Sequence, residues 1–354
     1  MLLIAGVAVE EKRITIKELS KIIGVSEATI SNALTGKPNV SDTKRAQIIE
    51  WAKHLGYRPN LNARAMSKNG VRIGMMVSIE PAEHNADLIR GIRQMIDTYS
   101  DFKVELVDLC YSNVNMDDEV YEKVKFIKEY EIDGLVIAPS LRPQKYTDQI
   151  KRLILEENFP VVFCSSWIEP GLGIACVDTN PVAMGRMAGG ILSVALPLNS
   201  DVAAITTSKY YQNHSLIVSS FREECERQGL NIVATMENND SPDTTRECAK
   251  TLTKIYPNLK AIYVTSYSTI PVCQYIEEAG LQGRIKIVGQ DVFPGMVNYI
   301  MNNTLLASLF QDPQEKGRTS IRLLVEAIIG NKREFQDVSI RPQLVMQANI
   351  DLYV

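Results

Sequence analysis

The chain has 354 residues, of which 45% are hydrophobic and 23% charged, and its net charge is −4. That length spans two or three domains at roughly 150 residues each, and the composition is that of an ordinary globular protein. It excludes a disordered chain, a collagen-like repeat and a disulfide-dense miniprotein.

Residues 1–13 open with the apolar run MLLIAGVAV, then Glu10 and Glu11. The run lacks a basic leader, so a secretory signal is not expected and the segment reads as a disordered extension. From 14 to 70, nine Lys/Arg face four acids, a balance of +5, which leaves −9 on the residues beyond 70. A basic head on an acidic body suggests a polyanion-binding module joined to something else.

Within that head, residues 15–24 place apolar side chains at 16, 19, 22 and 23, which is helical spacing. Gly24 can end that helix in a left-handed conformation, and Ser26 can cap the next, over 27–34. The second helix buries Ile30, Ala33 and Leu34, leaving Glu27, Ala28, Thr29, Ser31 and Asn32 outward. Gly36, Lys37 and Pro38 make a loop. Ser41 caps a third helix running to about Leu55, with Ile48, Ile49, Ala52 and Leu55 inward. Two short helices joined at a glycine predict a helix-turn-helix, whose second helix enters the major groove. A plain three-helix bundle without a ligand is the bland alternative.

Beyond Arg72, short β-rich runs alternate with amphipathic helices. Strands are predicted over 73–79, 103–109, 134–138, 161–164, 175–177, 202–206, 232–235, 261–265, 285–288 and 306–309. Helices are predicted over 88–99, 118–130 and 244–255, among others. This is the alternation of parallel, doubly wound sheets. No GxGxxG follows the first strand, and there is no Walker motif or GxSxG elbow. His54, His84 and His214 are scattered, and the cysteines at 110, 164, 176, 225, 248 and 273 form no CxxC pair. No catalytic residue, metal site or cofactor is therefore expected. No apolar run reaches the ~18 residues of a membrane helix, and a cytoplasmic setting is expected.

The stretch ITIKELSKIIGVSEATISNALTGKPNVSDTKRAQIIEWAKHLGYRPNLNARAMS resembles the headpiece of the LacI/GalR family of bacterial transcription regulators. It carries the GVSxxTxS turn, the GKPNVS loop, LGYRPN and an ARxxS hinge. The resemblance implies that Thr15, Ser26, Thr29 and Ser31 hold phosphates, while Glu27, Ala28 and Asn32 read bases. It also implies a hinge helix beginning at Asn60, with Ala63 allowing close approach, Arg64 reaching phosphate and Met66 as a minor-groove wedge.

Asp133-Gly134, Pro160-Val-Val, Gly185-Arg186, Gly289-Gln-Asp291 and Gln311-Asp-Pro313 resemble landmarks of the same family's effector domain. The implied fold is an all-α helix-turn-helix headpiece joined to a two-lobed α/β core, like type I periplasmic binding proteins, with parallel doubly wound sheets. The expected domains are the extension 1–13, the headpiece 14–59, the hinge 60–71 and the core 72–354. Lobe one takes about 72–170 and 304–332, lobe two about 171–303 and 333–354, with crossings near 169–173, 302–305 and 331–336. Asp291 and Gln311 match ligand-contacting positions. Tyr210 and His214 fall in a loop placed like the second-lobe effector loop. Asn85, Asp87, Ser140, Arg142 and Tyr267 fall in loops expected to line the cleft. Ile217 stands where sugar-binding relatives carry a clamping Arg, and 79–86 lack a Phe pair that often sandwiches a pyranose.

The function implied is a homodimeric repressor of a carbohydrate-catabolic operon, bound to a near-palindromic double-stranded operator and switched by a sugar or polyol, with no membrane partner. Residues 88–99 and the hinge are candidates for the dimer face, and a coiled-coil tetramer is not expected. Control by a corepressor, a protein partner or a non-sugar metabolite is the alternative within the family. A solute receptor or a sugar-acting enzyme would leave the basic head without a role.

Overall fold

The computed structural model describes residues 15–34, 39–55, 70–80, 82–112, 116–129, 132–138, 144–157, 159–166, 168–208, 212–330, 332 and 334–353. Three helices form the N-terminal unit: α1 Ile16–Ile23, α2 Glu27–Leu34 and α3 Asp42–His54. They enclose Leu19, Ile30, Ala33, Val40, Ile48 and Ala52, with Leu34 and Leu55 partly buried against them. Two expected core positions face outward instead: Ile22 is 53% exposed and Ile49 44%. Each adjoins a residue already turned inward, and successive residues on a helix point about 100° apart.

The rest of the chain builds two six-stranded sheets. The first uses β1 Val71–Val77, β2 Val104–Asp108, β3 Gly134–Ala138, β4 Val161–Cys164, β5 Ala175–Thr179 and β11 Val338–Ile340. Its order is β11-β5-β4-β3-β1-β2. Helices α4 Ala82–Asp97 and α12 Pro313–Ile328 cover one face, and α5 Met116–Glu129 and α6 Gln144–Glu157 the other. The second uses β6 Asp201–Thr206, β7 Asn231–Glu237, β8 Leu259–Val264, β9 Lys286–Gln290, β10 Leu305–Phe310 and β12 Gln343–Val345, in the order β12-β10-β9-β8-β6-β7. Helices α7 Pro181–Ala195 and α8 Gln212–Arg227 lie on one face, α9 Pro242–Ile255 and α10 Thr269–Glu278 on the other, and α11 Val297–Met301 precedes β10. Among the described residues all strand pairings are parallel except β10 with β12. Strands such as β1 and β4 are buried along nearly their whole length, as parallel strands covered on both faces must be.

Sheet membership moves the lobe crossings. β5 pairs with β4 and β11, so the chain leaves the first sheet at Asn180, not at 169–173. Residues 169–173 are a turn within lobe one: Gly171 has φ 82, and Ile174 N–H donates to Val161 O at 2.8 Å. A Cβ on Gly173 would lie 2.5 Å from Val161 O, so only glycine lets that turn close. β10 belongs to lobe two, so the return falls at Gln311–Asp312, not 302–305. The last crossing lies between β11 and β12, at Arg341–Pro342, not 331–336.

The helix predicted over 88–99 spends its apolar face inside the protein. Leu88, Ile92 and Ile96 are buried with α12 and the first sheet, and Arg90, Arg93, Gln94 and Asp97 remain outward.

Candidate functional site

In the headpiece, Thr15 caps α1 in a full capping box. Its N–H donates to Glu18 Oε2 at 2.8 Å, and Glu18 N–H donates to Thr15 Oγ1 at 3.2 Å. Gly24 closes α1 at φ 67, its N–H bonded to Ser20 O, and Ser20 Oγ donates to Val25 O at 2.7 Å. Ser26 starts α2: Thr29 N–H donates to Ser26 Oγ at 3.2 Å. Two of the expected phosphate-holding hydroxyls, Thr15 and Ser26, are thus cap residues. Their side chains set the helix N-termini, whose amides are the natural anion donors. Glu27, Ala28 and Ser31 are exposed, and Thr29 and Asn32 half-exposed, on the side of α2 away from Ile30 and Ala33. Asn60, Ala63, Arg64 and Met66 lie outside the described residues.

Between the lobes, a buried polar chain runs across the first two crossings. Asp291 follows β9 at φ 61, a left-handed conformation uncommon for a non-glycine residue. Its Oδ2 accepts from His84 Nδ1 at 3.0 Å and from Gln311 Nε2 at 3.1 Å. A carboxylate only accepts, so the His84 proton sits on Nδ1. Gln311 Oε1 accepts from Lys316 Nζ at 3.2 Å, and Lys316 also reaches Asp178 Oδ1 at 3.1 Å. Asp178 Oδ2 and Ser165 O both accept from Asn213 Nδ2, at 2.5 and 2.6 Å. Thr179 Oγ1 donates to Gln311 O at 3.0 Å. His84, Asp178 and Lys316 belong to lobe one, Asn213 and Asp291 to lobe two, so His84–Asp291 and Asp178–Asn213 each tie the lobes.

The charges in this chain follow from burial and pairing. Burial works to raise the Asp291 carboxyl, but His84, Lys316 and Gln311 outweigh it and hold it below the usual carboxylate range. At Asp178 burial wins over Lys316, and its pKa rises. Burial pushes the His214 imidazole down, against Asp240 and Asp291, so it is neutral near pH 7. Thr265 Oγ1 already donates to Thr206 Oγ1, so His214 Nδ1, 3.2 Å away, carries the proton that donates to Thr265.

Of the expected effector positions, Asp291 and Gln311 meet directly. His214 lies near them in the first turn of α8, where a loop was expected. Tyr267 donates its hydroxyl to Asp240 O at 2.7 Å. Asn85 is buried, and its amide holds the turn after β1 through Ser78 O and Glu80 O, both at 2.8 Å. Asp87 pairs with Arg90 at 2.9 Å and accepts from Gln314 across the α4–α12 crossing, so it serves that helix contact. Ile217 does not line the cleft. It is 3% exposed and packs in the lobe-two core with Met184, Ala188 and Phe221. No clamp is lost there, because that face of α8 turns toward α7. Ser140, Arg142 and Tyr210 lie outside the described residues.

His84, Asp178, Asn213 and Lys316 went unsingled by sequence. For Lys316 a signal existed: it is in phase with Pro313, Gly317, Ser320 and Leu324, the buried side of α12. A lysine on such a face must find a carboxylate or stay out of the core.

Gly185, one of the landmark glycines, and Gly91 are packing devices. A Cβ on Gly185 would stand 2.3 Å from Ile217 O, and one on Gly91 2.0 Å from Gln314 O. These close approaches seat α7 on α8 and α4 on α12, and so place Asn213 and Lys316.

Residues 125–332 match the periplasmic binding protein domain family, and residues 15–60 match the lacI family of bacterial regulatory proteins. The chain is similar to the HTH-type transcriptional repressor PurR of Mannheimia succiniciproducens, 21% identical over 95% of this chain and 98% of that one. It is also similar to the ribose operon repressor of Halalkalibacterium halodurans, 24% identical over 89% and 90%. In fold it resembles GanP, a glucose-galactose binding protein from Geobacillus stearothermophilus, with TM-score 0.71 and 21% identity over 81% of this chain and all of that one. A solute binding protein from Burkholderia graminis, solved with D-arabinose, gives TM-score 0.72 at 18% identity over 81% and 99%. The chain belongs to the periplasmic binding protein domain family, and its residues 15–60 are a headpiece of the lacI family of bacterial regulatory proteins.

Proposed function

We propose that the protein is a homodimeric transcriptional repressor whose operator affinity is switched by a small polar effector between the lobes. The observation that carries the reading is the joining of two units in one chain. A capped helix-turn-helix turns Glu27, Ala28 and Asn32 outward, and a two-lobed core ties its own lobes through His84–Asp291 and Asn213–Asp178. In the headpiece, the N-termini set by Thr15 and Ser26, together with Thr29 and Ser31, position phosphates. Glu27, Ala28 and Asn32 read base edges in the major groove. The hinge role is assigned to 60–71, with Met66 as the minor-groove wedge. Two headpieces on a dimer call for a near-palindromic site.

In the core, an effector that binds one arrangement of the lobes better than the other shifts the population, and with it the DNA affinity. A sugar or polyol suits the carboxylate and amide at Asp291 and Gln311. The relatives named as ribose operon repressor and transcriptional repressor PurR support a repressor. Cytoplasmic residence accords with that role, and no described helix is long and apolar enough to cross a membrane.

The test is selection of random duplexes by the full chain, followed by titration of the selected site with candidate metabolites. A near-palindromic consensus whose binding one polar metabolite changes at least tenfold supports the reading. No sequence preference overturns the regulator, and a preference that no metabolite moves leaves a partner-controlled one.

A further inference from the structure

The Asp291 carboxylate is buried, and its two oxygens are treated differently. Oδ2 accepts from His84 and Gln311, whereas Oδ1 has no hydrogen-bond partner among the described residues. The same holds for Gln290 Oε1, Thr207 Oγ1 and Ser268 Oγ. All four lie at the carboxyl ends of lobe-two strands or in the turns that follow them, the end at which open α/β sheets take ligands. Two of the four are oxygens that can only accept. Buried acceptors without donors are costly to leave bare, so this wall calls for a partner rich in O–H or N–H groups.

The charges nearby point the same way. Asp178, Asp240 and Asp291 are carboxylates, and the Lys316 ammonium is engaged by Asp178 and Gln311. His84 comes from lobe one, on the first turns of α4, yet its N–H sits on Asp291 of lobe two. It already donates to Oδ2, beside the open Oδ1, so a ligand donor arriving at this carboxylate meets His84 there.

We propose that His84 is a built-in competitor for the effector. Its imidazole takes the place on Asp291 that a ligand donor would take. The site therefore selects a compact ligand with adjacent hydroxyl or ammonium donors, a polyol or amino sugar, and rejects phosphorylated or carboxylated compounds. Entry of that ligand breaks the His84–Asp291 tie between the lobes. The inference rests on the effector cleft proposed above, and it adds the ligand class and the residue against which the ligand competes.

The test uses the full chain and five probes: myo-inositol, glucose, glucosamine, glucose 6-phosphate and galacturonate. Binding is measured by calorimetry for the wild type, His84→Ala, His84→Gln and Asp291→Asn, each checked for folding by circular dichroism. We expect binding among the first three probes and none with the two anions. His84→Ala is to bind at least tenfold more tightly than the wild type. His84→Gln, which keeps a donor for Asp291, is to stay near the wild type, and Asp291→Asn is to bind at least tenfold more weakly. Binding of an anionic probe that depends on Asp291, or equal or weaker binding by His84→Ala, overturns this inference and leaves the effector cleft standing. No binding by any probe, from a protein that still selects a DNA site, removes the sugar or polyol effector together with the inference.

Discussion

Lys316 Nζ lies 3.1 Å from Asp178 Oδ1, and only 1% of the lysine side chain is exposed. The pair joins the first turn of α12 to the end of β5, beside the chain's first crossing. Removing one partner of such a pair leaves an uncompensated buried charge, at a cost of about 3–5 kcal/mol, whereas replacing both with apolar or neutral groups is often close to neutral. Lys316→Ala is therefore expected to lower the core's unfolding free energy by roughly 3 kcal/mol. The double variant Lys316→Met/Asp178→Asn, which keeps an acceptor for Asn213, is expected to recover most of the loss. Urea denaturation of the three proteins checks this, and equal losses in single and double variants would remove the pairing as the cause.

Helix α7 offers a paired test of close packing. A Cβ at Gly185 would meet Ser220 Oγ at 2.1 Å and Ile217 O at 2.3 Å, while one at Gly190 would meet nothing within 4 Å. Gly185→Ala must push α7 off α8, and overpacking of this kind costs about 1–3 kcal/mol or more. Gly190→Ala should instead gain about 0.5–1 kcal/mol from helix propensity. Thermal melts of the two variants should move in opposite directions.

Much of this architecture was legible in the chain. The strands over 134–138 and 161–164 were readable to the residue, because each is a short apolar run bounded by acidic, glycine or proline residues. The crossings were not, because the Gly171 turn has the composition of a linker while its hydrogen bonds return the chain to the same sheet. The short strands β11 and β12 were missed, since their half-exposed residues carry no clear apolar period. In the site, Asp291 and Gln311 were found by resemblance. His84 and Asp291 stand 207 residues apart, and Lys316 and Asp178 138 apart, so no local spacing reveals either pair. Ile217 misled because alignment gives a position on a helix and not the face it turns.

His214 predicts an acid-side loss of stability. Its pKa is 6.5 in the unfolded chain and lower in the folded protein, because burial penalises the imidazolium. Below 6.5 the unfolded chain then binds the proton first, so stability falls with pH from there down to the folded pKa and levels off beneath it. The slope from this one group is at most about 1.4 kcal/mol per pH unit. Asp291 acts lower: its folded pKa lies beneath 3.8, so its contribution holds above that value and is lost as pH falls through the folded pKa. His214→Asn should flatten the stability profile just below pH 6.5 and leave the more acidic loss from Asp291 in place, as followed by urea midpoints across pH.

The proposed DNA contacts separate positioning from reading. Ser26 caps α2 through Thr29 N–H, so Ser26→Ala should loosen the helix start by about 1 kcal/mol. That loss should weaken binding to every duplex alike, because it acts on the helix and its phosphate contacts and not on a base edge. Asn32 lies half-exposed one turn further along the outward side of α2, where an amide can pair with adenine. Asn32→Ala should cost about 1–3 kcal/mol on the preferred site and relax the requirement at one base pair in each half-site, while leaving the salt dependence of binding nearly unchanged. Random-duplex selection with each variant, and titration of the selected site at several salt concentrations, distinguishes the two effects. An even loss of preference across the whole site for Asn32→Ala would place that residue on phosphate, and the base-reading role would then fall to Glu27 and Ala28.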